Sequence, residues 1–376
     1  MLIDAKFIAL DSSHWRQWLA DALSSDPKAR DAARQFYAQL GETGYTVLFC
    51  WHHLEELMAV EDAVLAARRL AFIRSLPFLA WIGIVPDEDG LGAITDIMAA
   101  EVEAALAGEG TLQSVRSAAK RRLLKFGSGE GVVVDHPAFL SLMQWHSKGR
   151  VQKDRSITAI APFEFLQPDM RVRDLMNQGM RSEGEVRLAL ERQHKALTNE
   201  IRTRGDKRIT DAEQRSLAFL KGMLEVKQSL PNTVRELVLG GYALSGIDES
   251  DIGADSTISE LDRLVTFRSQ LRVIAEKLGY DFDAIKRRVS PDRLPHTVLR
   301  GAIELHGQSR DRRPGSDLID SYLLALAPYC DVLLVDRRTA EDVRQASTKD
   351  PRLGQVMGRV EKASNYQDIV KQIGTG

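Results

Sequence analysis

Continuous apolar runs alternate with amphipathic stretches at the start of the chain. Residues 7–11 (FIALD) and 45–51 (YTVLFCW) are largely apolar, as expected of strands that a sheet buries on both faces. A third run of this kind follows at 78–85. Helical periodicity fills the remaining stretches, at 14–24, 28–40 and 54–76. This alternation predicts the α/β class, a parallel sheet flanked by helices.

The pattern changes in the middle of the chain, where strand signals nearly vanish and helical periodicity dominates. No repeat of fixed period connects these helices. The strand-and-helix alternation then returns, with a helix predicted at 318–327, a strand at 331–336 (DVLLVD) and a helix from Thr339. We therefore predict one α/β domain in two halves, residues 1–90 and 314–376, split by an all-helical insertion at residues 91–313.

Composition and charge limit the function classes. The chain has 376 residues, 44% of them hydrophobic and 28% charged, which is typical of a soluble globular protein. Its formal net charge of −2 gives no overall attraction to polyanions, so a nucleic-acid site must be a local feature. We find no signal peptide and no apolar run long enough to span a bilayer, and expect a cytoplasmic protein without a membrane partner. Two cysteines, Cys50 and Cys330, exclude a disulfide framework and are expected to be free, buried thiols.

Two of the predicted strands end in an aspartate that is followed by a helix. Asp11 ends the first strand, and Asp336 ends the strand near the C-terminus. Ligands of open α/β sheets bind at the carboxyl ends of the strands, so both acids would face a common crevice if their strands are neighbours. The alternative explanation is helix capping, because aspartate is a favoured N-cap residue.

Further acids lie near the start of two other predicted helices. Asp317 and Asp320 are three residues apart and therefore share one helix face. Capping explains Asp317, but it does not explain Asp320, which lies next to an apolar stretch and needs a metal, a partner or solvent. Glu56, with Glu55 beside it, lies in the helix after the second strand, where a solvated first-turn acid is the alternative.

Several carboxylates at one sheet edge repel one another unless a cation neutralises them. An all-oxygen ligand set selects Mg²⁺ or Mn²⁺, whereas zinc is disfavoured because the adjacent His52 and His53 point to different helix faces. Such ions activate water and stabilise the charge that develops at phosphorus, so the predicted chemistry is phosphodiester hydrolysis without a covalent intermediate. The sequence has no nucleophile elbow, phosphate-binding loop or dinucleotide-binding glycine motif that would favour another chemistry.

Three segments together resemble the PIN domain: 7–13 (FIALDSS), 54–57 (LEEL) and 315–338 (GSDLIDSYLLALAPYCDVLLVDRR). The last segment is similar to large PIN-like proteins of bacteria. The resemblance implies a PIN-like sheet and a Mg²⁺- or Mn²⁺-dependent nuclease. It assigns metal ligation and catalysis to the acids Asp11, Glu56, Asp320 and Asp336, with Asp317 as an accessory or substitute acid and Glu55 as the substitute for Glu56. Small PIN toxins lack so large an insertion, and this is where the chain departs from the pattern.

Arginines flank the predicted acids on both sides, where they would hold the phosphates of a substrate strand. These arginines are Arg312, Arg313, Arg337 and Arg338. The alternative is that they are solvated loop side chains paired with Asp311 or Glu341.

These patterns lead us to expect a nuclease that prefers RNA to DNA, in a toxin, defence or RNA-processing role. The insertion would shape substrate access, bind a protein such as an antitoxin, or associate with a second copy of the chain. Two alternatives stay open: an inactive PIN-like scaffold that binds a protein partner, and a metal-dependent phosphohydrolase. The haloacid-dehalogenase type of phosphohydrolase would need a second aspartate where the chain has Ser13.

Overall fold

Strands from both ends of the chain lie side by side in one sheet. The computed structural model describes residues 5–60, 62–87, 90–132, 169–177, 183–204, 210–225, 233–308 and 322–374. The chain forms two compact units, the first from residues 1–148 and 274–376 and the second from residues 149–273. The sheet belongs to the first unit.

The sheet has six strands in the order β4-β3-β2-β1-β5-β6. Their bounds are Lys6–Ala9 (β1), Tyr45–Phe49 (β2), Leu79–Ile82 (β3), Leu124–Gly127 (β4), Val332–Val335 (β5) and Arg359–Lys362 (β6). Neighbouring strands run parallel, except for the antiparallel pair β3–β4. The predicted α/β class is thereby confirmed, and β1 occupies the middle of the sheet between β2 and β5.

Helices of the first unit lie on both sides of the second unit in the sequence. Those before it are α1 (Ser12–Ala22), α2 (Pro27–Glu42), α3 (Trp51–Met58), α4 (Ala63–Ser75), α5 (Ile94–Leu106) and α6 (Leu112–Leu123). The second unit contains α7 (Val172–Met176), α8 (Glu183–Arg204), α9 (Ala212–Glu225), α10 (Val234–Leu244) and most of α11 (Ile258–Leu278). The first unit then continues with α12 (Phe282–Lys286), α13 (Pro295–His306), α14 (Arg337–Lys349), α15 (Leu353–Val356) and α16 (Ile369–Gly374).

Both faces of the sheet are covered, which explains why its central strands are mostly apolar and buried. All four residues of β5 are buried. In β1, Ile8 belongs to the main core cluster, whereas the ring of Phe7 lies 5.3 Å below Nζ of Lys120 on α6. A parallel sheet buried on both sides favours this continuous apolar pattern over an alternating one.

Aromatic side chains fix α1 against the sheet. Trp15 and Trp18 are almost completely buried, and their ring centroids lie 5.1 Å apart. Trp15 also makes an edge contact with Phe49 of β2, at 4.9 Å between centroids. Burial of large aromatic rings contributes strongly to stability and restricts movement. The first residue of α1, and Asp11 directly before it, are therefore held in place by the core.

The second unit has its own small apolar clusters. One joins Val172 of α7 to Ile258 and Leu261 of α11, and the other consists of Leu197, Ile201 and Ala212 of α8 and α9. The elements described in this unit are helices and one 3₁₀ turn, with a single isolated β-bridge between Arg171 and Thr257. In the described part of the chain, we find no helix that is both long and apolar enough to cross a bilayer.

Several predicted bounds differ from the structure. The helix expected at 54–76 is two helices, because Asp62 accepts hydrogen bonds from the backbone N–H groups of Val64 and Leu65 and starts α4. In the middle stretch, where only helical periodicity was recognised, residues 124–127 form strand β4, which pairs with β3. The unit boundaries at 149 and 273 also replace 91 and 313, since α5, α6, β4, α12 and α13 belong with the sheet. The helix expected at 318–327 lies partly outside the described residues.

Candidate functional site

Asp11 and Asp336 lie at the same edge of the sheet, on neighbouring strands. The parallel pairing of β1 with β5 aligns Ala9 with Leu333. Asp11 lies two residues beyond Ala9, and Asp336 lies three residues beyond Leu333. Neighbouring strands are about 4.8 Å apart, so both acids stand at the carboxyl edge within a short distance of one another. The condition under which the two acids would share a crevice, that their strands are neighbours, is therefore met.

Both acids also cap helices, which was the alternative explanation for each of them. Oδ1 of Asp11 accepts from the backbone N–H of Ser13 at 2.6 Å, and Oδ1 of Asp336 accepts from the backbone N–H of Thr339 at 2.6 Å. Among the described residues, Oδ2 of either side chain has no hydrogen bond or ion pair. Capping therefore uses one carboxylate oxygen of each acid and leaves the other uncommitted.

Ser12 adds a second uncommitted oxygen donor next to Asp11. Its side chain is only 2% exposed, and its Oγ has no hydrogen-bond partner in the part of the chain that the structure describes. A buried hydroxyl without a partner costs free energy, so such groups are normally satisfied by protein, water or a ligand. This hydroxyl and the free carboxylate oxygens are hard donors of the kind that Mg²⁺ and Mn²⁺ prefer.

Glu56 lies on the other side of β1, in α3, the helix that follows β2. Its carboxylate is 13% exposed, and Oε1 lies 3.7 Å from Nη2 of Arg16 on α1. Glu55, its predicted substitute, instead has Oε2 3.6 Å from Nδ1 of His52. Each glutamate thus has a basic neighbour, and Glu56 is the one that belongs to the side of α3 facing α1.

His53 connects α3 to the end of β1. The backbone N–H of Cys50 donates to its Nδ1 at 3.1 Å, so Nε2 carries the proton and donates to the carbonyl oxygen of Leu10 at 2.8 Å. Complete burial lowers the pKa of His53 to about 3 and raises that of the Cys50 thiol to about 12. A neutral imidazole and a neutral thiol do not form a nucleophile pair. Their role is to fix the residue that precedes Asp11.

His52 points elsewhere and contacts a different part of the chain. Its ring stacks on Tyr322 at 4.8 Å between centroids, and its Nε2 accepts from the backbone N–H of Ile94 at 3.4 Å. The two adjacent histidines therefore contact different segments, with His53 on β1 and His52 on Tyr322. Tyr322 is the first described residue after the predicted acids Asp317 and Asp320.

Four predicted residues lie outside the described part of the chain. They are Asp317, Asp320, Arg312 and Arg313. In the described ranges, no three histidine, cysteine, aspartate or glutamate side chains are grouped closely enough to hold a metal ion. The three described acids, Asp11, Glu56 and Asp336, thus do not form such a group by themselves.

Arg337 and Arg338 are exposed at the first turn of α14, directly after Asp336. Glu341, the alternative partner considered for them, accepts hydrogen bonds from Nε and Nη2 of Arg344 at 2.8 and 2.6 Å, and the charge of Arg337 acts on it more weakly. These hydrogen bonds, with a further one from Gln345, lower the pKa of Glu341 to about 2. Within the described residues, neither arginine at the start of α14 forms an ion pair.

Sequence reasoning missed three features of this edge, namely the orphan hydroxyl of Ser12, the contact between Arg16 and Glu56, and the link from His53 to Leu10. Each depends on which elements pack together, and the sequence pattern alone does not give that. A serine in a helix N-terminus and an arginine on an exposed helix face are both ordinary.

Neither a protein-family model, nor a curated protein, nor a solved structure matches this chain.

Proposed function

We propose that this chain is a Mg²⁺- or Mn²⁺-dependent nuclease of the PIN type that prefers RNA to DNA. One observation carries the proposal: Asp11 and Asp336 end adjacent parallel strands at one edge, each with a carboxylate oxygen that capping does not use. The carboxyl edge of a parallel sheet is where ligands of such folds bind. Two uncompensated carboxylates close together favour a divalent cation.

The donors at this edge fit a hard divalent ion. Oδ2 of Asp11, Oδ2 of Asp336 and the orphan Oγ of Ser12 are all oxygens, which are the atoms that hard divalent ions prefer. Asp317 and Asp320 complete the ligand set in this proposal, and Tyr322 anchors the chain that follows them on His52. A bound ion of this kind lowers the pKa of a coordinated water and stabilises charge on the phosphate.

The remaining residues hold the substrate and position the acids. Arg337 and Arg338 form no ion pair with any described residue and lie at the start of α14, where they would bind phosphate oxygens in bidentate fashion. Arg312 and Arg313 have the same proposed role. His53 fixes the end of β1, and the aromatic packing of Trp15 fixes α1. Glu56 supplies an acid from the α3 side, with part of its charge balanced by Arg16.

The biological setting follows from the activity. We propose a toxin, defence or RNA-processing role, in which the helical second unit binds a protein partner or a second copy of the chain. An inactive PIN-like scaffold is the competing function. The observation that favours it is that the described acids do not form a group of three metal ligands.

Cleavage assays with matched variants separate the two functions. The purified chain is incubated with Mn²⁺ and labelled RNA, single-stranded DNA or duplex DNA. Asp11→Asn and Asp336→Asn keep a carbonyl oxygen for the cap but lose the charge, so we expect cleavage to fall by more than about 100-fold, beyond the 10- to 100-fold typical of outer-sphere changes. Asp26→Asn, which alters the cap of α2, is the matched control and should cleave normally.

Three results would contradict the nuclease. One is equal cleavage by the wild type and both site variants. Another is no cleavage of any substrate together with no saturable Mn²⁺ binding by calorimetry, which is the result expected of a scaffold. The third is release of inorganic phosphate without shortening of the strand, which would indicate a phosphohydrolase.

A further inference from the structure

Two arginines contact α3 at neighbouring residues, from helices that sequence reasoning did not connect. Arg16 of α1 has Nη2 3.7 Å from Oε1 of Glu56. Arg69 of α4 donates from Nη1 to the carbonyl oxygen of Leu57 at 2.6 Å, one residue further along α3. Partial burial, and then repulsion by Arg16, lower the pKa of Arg69. The two arginines therefore contact α3 at neighbouring residues, Glu56 and Leu57.

The charges of this cluster do not balance. Two arginines contact this part of α3, where Glu56 is the acid paired with Arg16. Among the described residues, Arg16 forms no hydrogen bond and no ion pair besides the 3.7 Å pair with Glu56, which is longer than a hydrogen bond. Its side chain is 52% exposed. Arg69 commits only Nη1, so the other donors of its planar group remain available. Like charges held together in this way are stabilised by an anion, and guanidinium groups match the geometry of phosphate.

The cluster lies next to the edge of the sheet that carries Asp11 and Asp336. Arg16 comes five residues after Asp11 on the helix that Asp11 caps, about 7.5 Å further along the helix axis. Successive phosphates of one nucleic-acid strand in a duplex follow every ~3.4 Å of helix rise. A strand with one phosphate at Asp11 and Asp336 thus has neighbouring phosphates within reach of the long Arg16 side chain.

We propose that Arg16 and Arg69 form a phosphodiester-binding site that holds the substrate strand beside the point of cleavage. This site rests on the proposed nuclease function and extends it, because it places a strand-holding contact on α1 and α4, opposite the arginines of α14. It also assigns Arg16 a substrate contact in addition to its pairing with Glu56.

Binding of a fluorescein-labelled single-stranded oligoribonucleotide, followed by fluorescence anisotropy in EDTA so that cleavage does not interfere, tests the site. Each phosphate contact on a single strand contributes about 0.7 to the slope of log K against log salt concentration. We expect Arg16→Gln to lower this slope by about that amount and to weaken binding at low salt. The matched control is Arg34→Gln, an exposed arginine of α2 that pairs with Asp31, and its slope should equal that of the wild type.

The double variant Arg16→Gln/Arg69→Gln should lower the slope by about twice as much. Arg69 also supports α3 through Leu57, so Arg16→Gln alone is decisive if the double variant does not fold. Mn²⁺ binding by calorimetry should be the same in Arg16→Gln and in the wild type.

The outcomes separate this inference from the proposed function. If the wild type cleaves RNA and Arg16→Gln binds it with an unchanged slope, the phosphate site is wrong and the nuclease stands. If Arg16→Gln loses Mn²⁺ affinity instead, the arginine acts through Glu56 and the inference is overturned. If the wild type neither binds nor cleaves the oligoribonucleotide, both fail together.

Discussion

Two sets of carboxylates in the first unit, Glu101 on one side and the pair Asp11 and Asp336 on the other, have different surroundings. Glu101 of α5 is completely buried, and protein donors occupy both of its oxygens. The hydroxyl of Tyr329 donates to Oε1 at 2.5 Å and Nδ1 of His296 contacts Oε2 at 2.6 Å. Asp11 and Asp336 instead bind one backbone N–H each and keep one oxygen free within the described residues.

The difference separates a structural acid from a candidate ligand. A carboxylate whose lone pairs are all satisfied by the protein has no capacity for a metal ion, however deeply it is buried. The Glu101 network joins α5, α13 and the chain just before β5, and so contributes to holding β5 in place. Burial alone is therefore a poor sign of function, and uncommitted oxygens at the carboxyl edge are a better one.

Replacing Glu101 should give the largest effect. Glu101→Ala leaves the buried Tyr329 hydroxyl and the His296 donors without an acceptor. Removing one partner of such a buried pair typically costs about 3–5 kcal/mol, and we expect a loss of that size in the free energy of unfolding. Tyr329→Phe removes one donor and should cost about 1–3 kcal/mol. Denaturant titration measures the free energy of unfolding of each variant.

Mn²⁺ titration of the folded variants provides the control for this prediction. We expect Tyr329→Phe to bind Mn²⁺ as the wild type does, because Glu101 is not a ligand. A Glu101→Ala protein as stable as the wild type would contradict the structural role. Loss of Mn²⁺ binding in either variant, at unchanged stability, would contradict the distinction between Glu101 as a structural acid and Asp11 and Asp336 as candidate ligands.

The second-largest expected effect is the pH dependence of stability caused by His53. Like Glu101, His53 is a buried titratable residue with a structural role, and it lies beside the edge that carries Asp11 and Asp336. Burial lowers its pKa to about 3 from the ordinary value of 6.5, so between these values the unfolded chain binds a proton that the folded chain excludes. The stability that the neutral ring provides is complete above pH 6.5 and is lost as the pH falls. We expect this residue to lower the free energy of unfolding by about 1.4 kcal/mol for each pH unit below 6.5.

Comparison with His53→Gln isolates this contribution. Glutamine provides an acceptor and a donor but does not titrate. We expect the variant to be less stable than the wild type at neutral pH. Between pH 4 and 6.5, the slope of its free energy of unfolding against pH should be smaller by ~1.4 kcal/mol per unit. Denaturant titrations at a series of pH values give both slopes. Equal slopes for the two proteins would show that His53 titrates normally in the folded state.

The sequence predicts the strands that carry the acids better than the elements between them. The segments FIALD and DVLLVD are apolar runs that end in an acid, and in the structure Asp11 and Asp336 follow β1 and β5 at the same edge of the sheet. By contrast, residues 124–127 (LKFG) continue an amphipathic helical pattern, and only pairing with β3 makes them a strand. Local pattern is sufficient for buried parallel strands, whereas a short edge strand depends on its neighbour.

The polar network was beyond prediction for a related reason. Glu101 lies in the helical pattern AEVEAAL, which predicts an exposed position for a glutamate. Its partners His296 and Tyr329 are 195 and 228 residues away in the chain. Pairing over such distances leaves no local signal. The metal site and its ligands Asp317 and Asp320 stay predictions, since both residues lie outside the described part of the chain.

The smallest expected effect on stability comes from replacing Asp336, and it separates helix capping from ion binding by this residue. If Oδ1 caps α14 and Oδ2 binds an ion, Asp336→Ala loses both functions and Asp336→Asn loses only the second. We expect a loss of about 1 kcal/mol in the free energy of unfolding for the alanine variant, as for Asp26→Ala at the cap of α2, and a much smaller loss for the asparagine variant. Saturable Mn²⁺ binding should disappear in both Asp336 variants and persist in Asp26→Ala. If Asp336→Asn binds Mn²⁺ as the wild type does, the free oxygen has no ligand role, and Asp336 is a capping residue like Asp26.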